Sequence, residues 1–346
     1  MTEELTHRKL PSYSASQVAE HNSLSDAWVV YGEKVFNITE FLSIHPGGSE
    51  ITVEHLGRDV SDVLNSEILH QHSANAIQLM KQYCIGELDK EDCKSSIKSF
   101  SLDGFNEDEL IDWSRALTFQ VGKLGENYDK WVHSPVNRPL KLFDNPILEY
   151  LTRTHWYMVP IVWIPMMFYM SWLSCTQRQP SLFPGTVVNN PIQFPLFVAL
   201  FSVGLFVWTL IEYCLHRFVF HLVPKHHLAI SFHFMIHGQH HKVPFDTERL
   251  VFPPIPAGLI MIPIFVTLLI FFPLSWARAL YSGGLLGYII YDLSHYYIHH
   301  ASPKPQSYMG RLKSYHAAHH FTAPSLGFGV SCKLWDYPFR TIIPGY

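Results

Sequence analysis

FPLFVALFSVGLFVWTLIEYCLHRFVFH, residues 194–221, decides how the chain is read. It opens as an apolar run as long as the ~20 residues a helix needs to cross a bilayer. It closes on two histidines, His216 and His221, with one carboxylate, Glu212, a helical turn before the first. Side chains that bind metals stand where a membrane helix ends.

Three further runs have similar length: Trp156 to Leu173, interrupted by Pro160 and Pro165; Val251 to Leu274; and Ala279 to Ile298, which is Gly-rich and less apolar. Hydrophobic residues make up 48 % and charged residues 16 %, below the quarter or so usual for soluble domains. Aromatics at 14 % suit membrane interfaces. A net charge of -4 gives no general pull toward nucleic acid, which is excluded as a partner. Cys84, Cys93, Cys175, Cys214 and Cys332 show no spacing of a disulfide framework or thiolate site. That fits chemistry facing a reducing cytosol. The opening MTEELTHRKLP lacks the apolar core of a signal peptide, so the first domain is expected to stay cytosolic and the sequon Asn37-Ile38-Thr39 to be unglycosylated.

Four crossings then obey a parity rule. The second helix returns to the cytosol at His216, and the fourth returns near His295. Every histidine cluster falls on one membrane face. Arg217, Lys225, Lys242, Arg249, Lys304, Arg311 and Lys313 lie on that face too, as positive-inside bias expects, with Arg178 and Arg278 as exceptions.

Histidine is the anomaly: 22 in the chain, 14 of them from His216 to His320. HRFVFH ends the second helix, HGQHH carries His237, His240 and His241, HYYIH carries His295 and His299, and HAAHH carries His316, His319 and His320. Positions three and four apart share a helical face, so His-x-x-His-His aims two or three imidazoles one way. His216 and His221, five apart, point ~140° apart on an ideal helix. They converge only if the helix loosens before Val223-Pro224, or they serve different ions. Ten imidazoles exceed one ion and divide between two, and nitrogen-rich sites suit iron, copper or zinc. A single such histidine is more often an interfacial residue bonded to backbone; four clusters on one face are not. His226, His227 and His233 fall outside the pattern and read as bystanders; His300 points away from His299. Glu212 and Asp292 are placed to accept imidazole N–H groups and fix ring tautomers, although snorkelling explains Glu212 equally well.

Residues 10–90 read as a compact soluble domain. WVVYGEKVFNIT reads as a hairpin around Gly32-Glu33, and ANAIQLMKQY has helical spacing. FLSIHPGGSE places His45 before a tight Pro-Gly-Gly turn that brings backbone close to a flat cofactor. LHQHSANA follows with His70 and His72. Such short motifs also occur as plain turns. Along most of its length, however, this segment resembles cytochrome b5: WVVYGEKVFNIT, FLSIHPGG, a helix, HSA, then IGEL. The resemblance implies heme b with His45 and His72 as axial ligands, His70 being the alternative to the latter. Ligated on both faces, such a heme carries one electron at a time and does not activate oxygen.

From about Asp129 onward, YDKWVHSPV, HRFVFH, HGQHHK, YDLSHYYIHH, HAAHHF and GFGVSCKLWDY resemble the fatty acid hydroxylase family; the stretch from His221 to His237 looks a few residues short. The resemblance implies that His216, His221, His237, His240, His241, His295, His299, His316, His319 and His320 hold two metal ions, iron for activity and zinc possible after purification. It further implies O2-dependent hydroxylation at carbon 2 of a long-chain acyl group, free or ceramide-linked. No nucleophile motif competes, and metal chemistry is what breaks so inert a C–H bond. Electrons would come from cytochrome b5 reductase or a similar NAD(P)H reductase, and fusing the carrier raises its effective concentration. Tyr296, Tyr297, Lys242 or Arg311 is expected to hold the acyl head.

The expected fold is thus an α+β cytochrome b5-like heme domain (10–90), a linker or interfacial segment (91–145), and an all-α membrane domain (146–346). The last has four transmembrane helices under a cytosolic histidine-rich cap. Its setting is the endoplasmic reticulum membrane among lipids, with heme and metals facing the cytosol. The rivals are a cytochrome b5-fused desaturase, a sterol oxidase of the same superfamily, and a non-catalytic heme carrier or zinc-stabilised scaffold.

Overall fold

The computed structural model describes residues 10–43, 45, 52–64, 72, 74–89, 92, 110–177, 191–304 and 306–346. Four features singled out in the sequence, the Pro46-Gly47-Gly48 turn, His70, Cys93 and Arg178, lie outside them.

The first unit is built on β1 (Ser12–Tyr13), β2 (Asn22–Ser23), β3 (Asp26–Tyr31), β4 (Lys34–Asn37) and β5 (Cys84–Leu88). They form one sheet of order β1-β5-β4-β3-β2, with β1 and β5 parallel and the other pairs antiparallel. β3 and β4 form the expected hairpin, pairing Val29 with Phe36 and Val30 with Val35. Gly32, at φ 62°, reverses the chain in a region that glycine enters freely. Side chains alternate across the sheet. Ala27, Val29 and Tyr31 therefore join one core with Phe36, Leu42 and Leu56, whereas Val30 and Val35 join a second with Val18 and Leu88. α1 (Ala15–Glu20), α2 (Ser61–Leu64) and α3 (Ala74–Met80) complete the unit.

The segment after residue 110 is no free tether. Its short helices α4 (Thr118–Val121) and α5 (Tyr128–Val132) bury Val121, Trp131 and Val132 against Ile230, Phe234 and Val243. Then come α6 (Pro146–Leu151), α7 (Met158–Thr176), α8 (Phe194–Leu215), α9 (His227–His233), α10 (Gln239–Lys242), α11 (Pro254–Phe271), α12 (Leu274–His300) and α13 (Tyr308–Phe321).

Among the described residues, three helices are long and apolar enough to cross a membrane: α7, α8 with its extension to Phe220, and α11. Phe168, Phe206 and Leu259 on these helices are exposed, an outer surface that suits lipid. α12, 27 residues long, is the central helix and runs against α7 and α8. Most of its side chains are buried inside the protein, so it needs no continuous apolar face. Its glycines have a steric cause: a Cβ on Gly283 would collide with the Phe201 carbonyl, and one on Gly204 of α8 with the Leu280 carbonyl. Close approach through small residues is how membrane helices gain packing energy.

Candidate metal centre

α8 delivers His216 at its end, and the following turn, His216–Phe220, is a π-helix whose His221 amide N–H donates to the His216 carbonyl at 3.0 Å. An i→i+5 turn brings side chains five apart into line. The helix does loosen, and both rings enter the same group. A second π-turn, Phe234–Gly238, precedes α10 and presents His237, His240 and His241. α12 ends with His295 and His299, and α13 carries His316, His319 and His320.

The ten rings sort into two cages of five. His216, His221, His237, His241 and His319 form one; His240, His295, His299, His316 and His320 form the other, with ligand atoms within 4.8 Å of one another in each. The two His-x-x-His-His segments divide in a matched way. Rings four apart stay together (His237 with His241, His316 with His320), while the ring between them, His240 or His319, crosses to the other cage. The stacked His241 and His320 rings, 4.2 Å apart, put the cages side by side.

The contacts inside each cage fit a shared cation better than hydrogen bonding. His221 Nε2 lies 3.3 Å from His237 Nε2, 3.1 Å from His241 Nε2 and 3.0 Å from His319 Nε2. One ring nitrogen carries at most one proton, so it cannot make three such bonds. Two nitrogens each ~2.1 Å from one ion and at a right angle to it are ~3 Å apart. His295 and His320 lie 2.9 and 3.0 Å from His316 Nε2 in the same way. The buried Nε2 atoms of His216, His240 and His299 have no hydrogen-bond partner, an arrangement that leaves lone pairs for a metal. Burial, with neighbouring imidazoles, pushes His221, His237, His240, His241, His316, His319 and His320 well below the usual histidine range, so each ring is neutral.

Tautomers are fixed by carbonyls, which corrects one expectation. His216 Nδ1 donates to the Phe328 carbonyl at 2.7 Å and His319 Nδ1 to the Leu326 carbonyl at 2.6 Å. Among the described residues, Glu212 makes no hydrogen bond to an imidazole. Its carboxylate accepts the amide N–H groups of Val330 and Ser331 and the Ser331 hydroxyl. Asp336, which sequence reading missed, accepts those of Phe328 and Gly329. Four consecutive amides thus rest on two buried carboxylates, and the loop they hold presents the Phe328 carbonyl to His216. Asp292 likewise accepts from the Phe252 amide and the Tyr288 hydroxyl instead of a ring N–H. His233 is no bystander either. Buried, it bridges the Tyr128 hydroxyl and the Phe220 carbonyl, both at 2.6 Å, and so braces the first π-turn.

A cavity of about 290 Å³ reaches from His237, His240 and His295 to Trp208, Tyr288, Ile260 and Met261 among the membrane helices. Its walls are largely apolar, with Gln239 and Arg249 among the polar groups. None of the four residues expected at the acyl head lines it. Lys242 donates instead to the carbonyls of Trp131 and Ser134, and Arg311 to that of Gln306. Tyr296 packs on Trp156 and His300, and Tyr297 is exposed.

In the first unit, the rings of His45 and His72 face each other with centroids 6.4 Å apart and planes 25° from parallel. Allowing ~2 Å from iron to each nitrogen and ~1 Å from nitrogen to ring centre, two axial imidazoles span ~6 Å. The pair therefore has the spacing to take one iron between its rings.

Residues 14–89 match the model of the cytochrome b5-like heme/steroid-binding domain, and residues 201–341 match that of the fatty acid hydroxylases. Fold and site together define a histidine-rich membrane hydroxylase with a fused cytochrome b5-like domain, and that domain implies heme. The chain is 40 % identical to fatty acid 2-hydroxylase of Rattus norvegicus, covering 96 % of this chain and 95 % of the relative. It is 33 % identical to the ceramide very long chain fatty acid hydroxylase of Saccharomyces cerevisiae, over 98 % and 96 %. A solved structure of full-length scs7p, in which only the hydroxylase domain is visible, superposes with a TM-score of 0.60 at 36 % identity, covering 68 % of this chain and 86 % of that one. The chain belongs to the fatty acid hydroxylase family.

Proposed function

We propose that the chain hydroxylates long-chain acyl groups at carbon 2, producing 2-hydroxy fatty acids for sphingolipids. One observation supports this beyond the family: a largely apolar cavity of about 290 Å³ among the membrane helices opens onto three histidines, His237 of one cage and His240 and His295 of the other.

Ten histidines would hold two ions: His216, His221, His237, His241 and His319 the first, and His240, His295, His299, His316 and His320 the second. Iron is the metal proposed for turnover, with zinc able to take the same nitrogens. When bound, the pair supplies O2-dependent redox chemistry that no side chain offers. The protein's own task is positional. An acyl tail is uniform along its length, so the walls must fix which carbon stands beside the cages. Trp208, Tyr288 and Met261 bound the tail, and Gln239, between His237 and His240, lies on the wall nearest the head. Apolar walls keep water away.

His45 and His72 would ligate the heme of a unit spanning 10–90. Residues 91–145 connect it to the membrane hydroxylase unit of 146–346, and an NAD(P)H-dependent reductase would recharge it. α12 serves as a fourth, central crossing, returning His295 and His299 to the face reached by His216. With that topology, heme and cages would lie on the cytosolic face of the endoplasmic reticulum. Mass spectrometry of lipids from cells expressing the chain tests the reading. A gain of one oxygen at carbon 2 is expected; loss of two hydrogens, or no new product, would overturn it.

A further inference from the structure

The two units touch through aromatic side chains that the reaction chemistry does not require. Phe41, in a 3₁₀ turn over Phe41–Ser43, packs edge-on against His45 with centroids 5.5 Å apart. The same ring meets Phe245 of the hydroxylase unit at 6.1 Å. Phe245 stacks on Phe321 at 6.2 Å, and Phe321 lies 6.3 Å from its neighbour His320. Phe245 and Phe321 also share the wall of a small void of about 20 Å³ with His299, His316 and His320, all of one cage. Beside this line the backbone N–H of Asn137 donates to Gln82 Oε1, and its side-chain amide to the Tyr83 hydroxyl, both at 2.7 Å. Tyr83 in turn packs on Phe41 at 5.2 Å. Aromatics at the centre with polar pairs beside them have the anatomy of a docking surface.

We propose that Phe41, Phe245 and Phe321 form a seam that seats the heme unit on the hydroxylase unit and sets the short path for electrons from His45 to the cage of His240, His295, His299, His316 and His320. Asn137 acts as the latch. The inference rests on the hydroxylase reading above and adds to it the route and the receiving cage. Tunnelling falls off exponentially with the gap, so rings in contact outperform rings that merely diffuse near one another. Each passage oxidises one ferrous heme to ferric and adds one electron to the cage ions. Two passages, with two protons and O2, account for the hydroxyl group and one water. The reductant that restores the heme is a flavoprotein drawing on NADH or NADPH. Phe245 and Phe321 are positioning residues: neither touches substrate.

The test uses the full-length protein, loaded with heme and iron, in lipid nanodiscs with cytochrome b5 reductase and a long-chain acyl substrate. Phe245→Ala and Phe321→Ala should keep the oxidised heme spectrum, the metal content and the rate of heme reduction. Reoxidation of the reduced heme should slow by about tenfold or more, the scale of cost for small misplacements of reacting partners. Phe245→Trp, which restores a large ring, should recover most of the rate. Independently of turnover, Gln82→Cys with Asn137→Cys should form a cross-link on mild oxidation, mapped by mass spectrometry. Reoxidation at the wild-type rate in both alanine variants, or failure of that cross-link to form, overturns the seam. Wild-type protein that forms no 2-hydroxy product sinks the hydroxylase reading instead, and the cross-link still decides whether the units dock.

Discussion

The two histidine cages have equal numbers of rings and unequal surroundings. In the cage around His221, His216 and His319 hand their Nδ1 protons to the carbonyls of Phe328 and Leu326, on a loop that Glu212 and Asp336 clamp from two sides. In the cage around His316, the Nδ1 atoms of His316 and His320 are buried without partners, as that of His241 is in the first cage, and the void beside Phe245 and Phe321 adjoins them. Two rings of the first cage lean on backbone carbonyls; among the described residues no ring of the second does. Outer partners fix ring orientation and raise ligand basicity, so the first should keep its ion under conditions that empty the second.

The sharpest way to break this contrast is to remove the hub of the firmer cage. His221→Ala should abolish the binding of one ion of two, read by mass spectrometric metal analysis, and cut product formation by more than about 100-fold, beyond the loss typical of an outer partner. Retention of both ions would show that the cages do not act as separate sites. Next come Glu212→Gln and Asp336→Asn. Each should weaken the first ion by about 10–100-fold, with the second unchanged in a chelator titration. Equal loss from both cages would erase the asymmetry. Gly283→Leu forces apart α8 and α12, the helices that end in His216 and in His295 and His299 and so serve both cages. It should destabilise the protein by about 1–3 kcal/mol in detergent unfolding, with both ions lost together. The smallest effect concerns acid. Burial lowers His233 to about 4, so the folded form keeps it neutral where the unfolded chain protonates it. Its contribution is present above the ordinary value of 6.5 and is lost as pH falls from there toward 4. Melting of the metal-free protein should drop across that window, and His233→Gln should flatten part of the drop.

Much of this was legible in the chain, for identifiable reasons. Histidine spacing of three and four survives folding because helices preserve it, so eight of the ten candidate ligands could be named from it before any geometry. His45 and the β3–β4 hairpin were equally plain. What sequence could not supply were relations made by tertiary contact. The route of His240 and His319 into opposite cages depends on how α10 and α13 face each other. The loosened turn after His216 was visible as a requirement of five-residue spacing but not as a fact. Glu212 was noticed for its cost near the membrane, yet its partners lie more than a hundred residues downstream. Lys242, Arg311, Tyr296 and Tyr297 looked like head-group residues because charge and hydroxyls near a site attract that reading, and the structure engages or exposes each elsewhere. α12 looked less apolar than its neighbours because protein, not lipid, surrounds it.

The wide turn at His216–Phe220 carries a lesson about heredity. Phe218 and Val219 are exposed there, so point changes to them cost the interior little. A codon gained in the same stretch is another matter. It would set the two histidines six apart, ~120° from one another around an ideal helix axis at ~100° per residue, and carry the second ring away from the three it gathers. This stretch can vary in letters but not gain length.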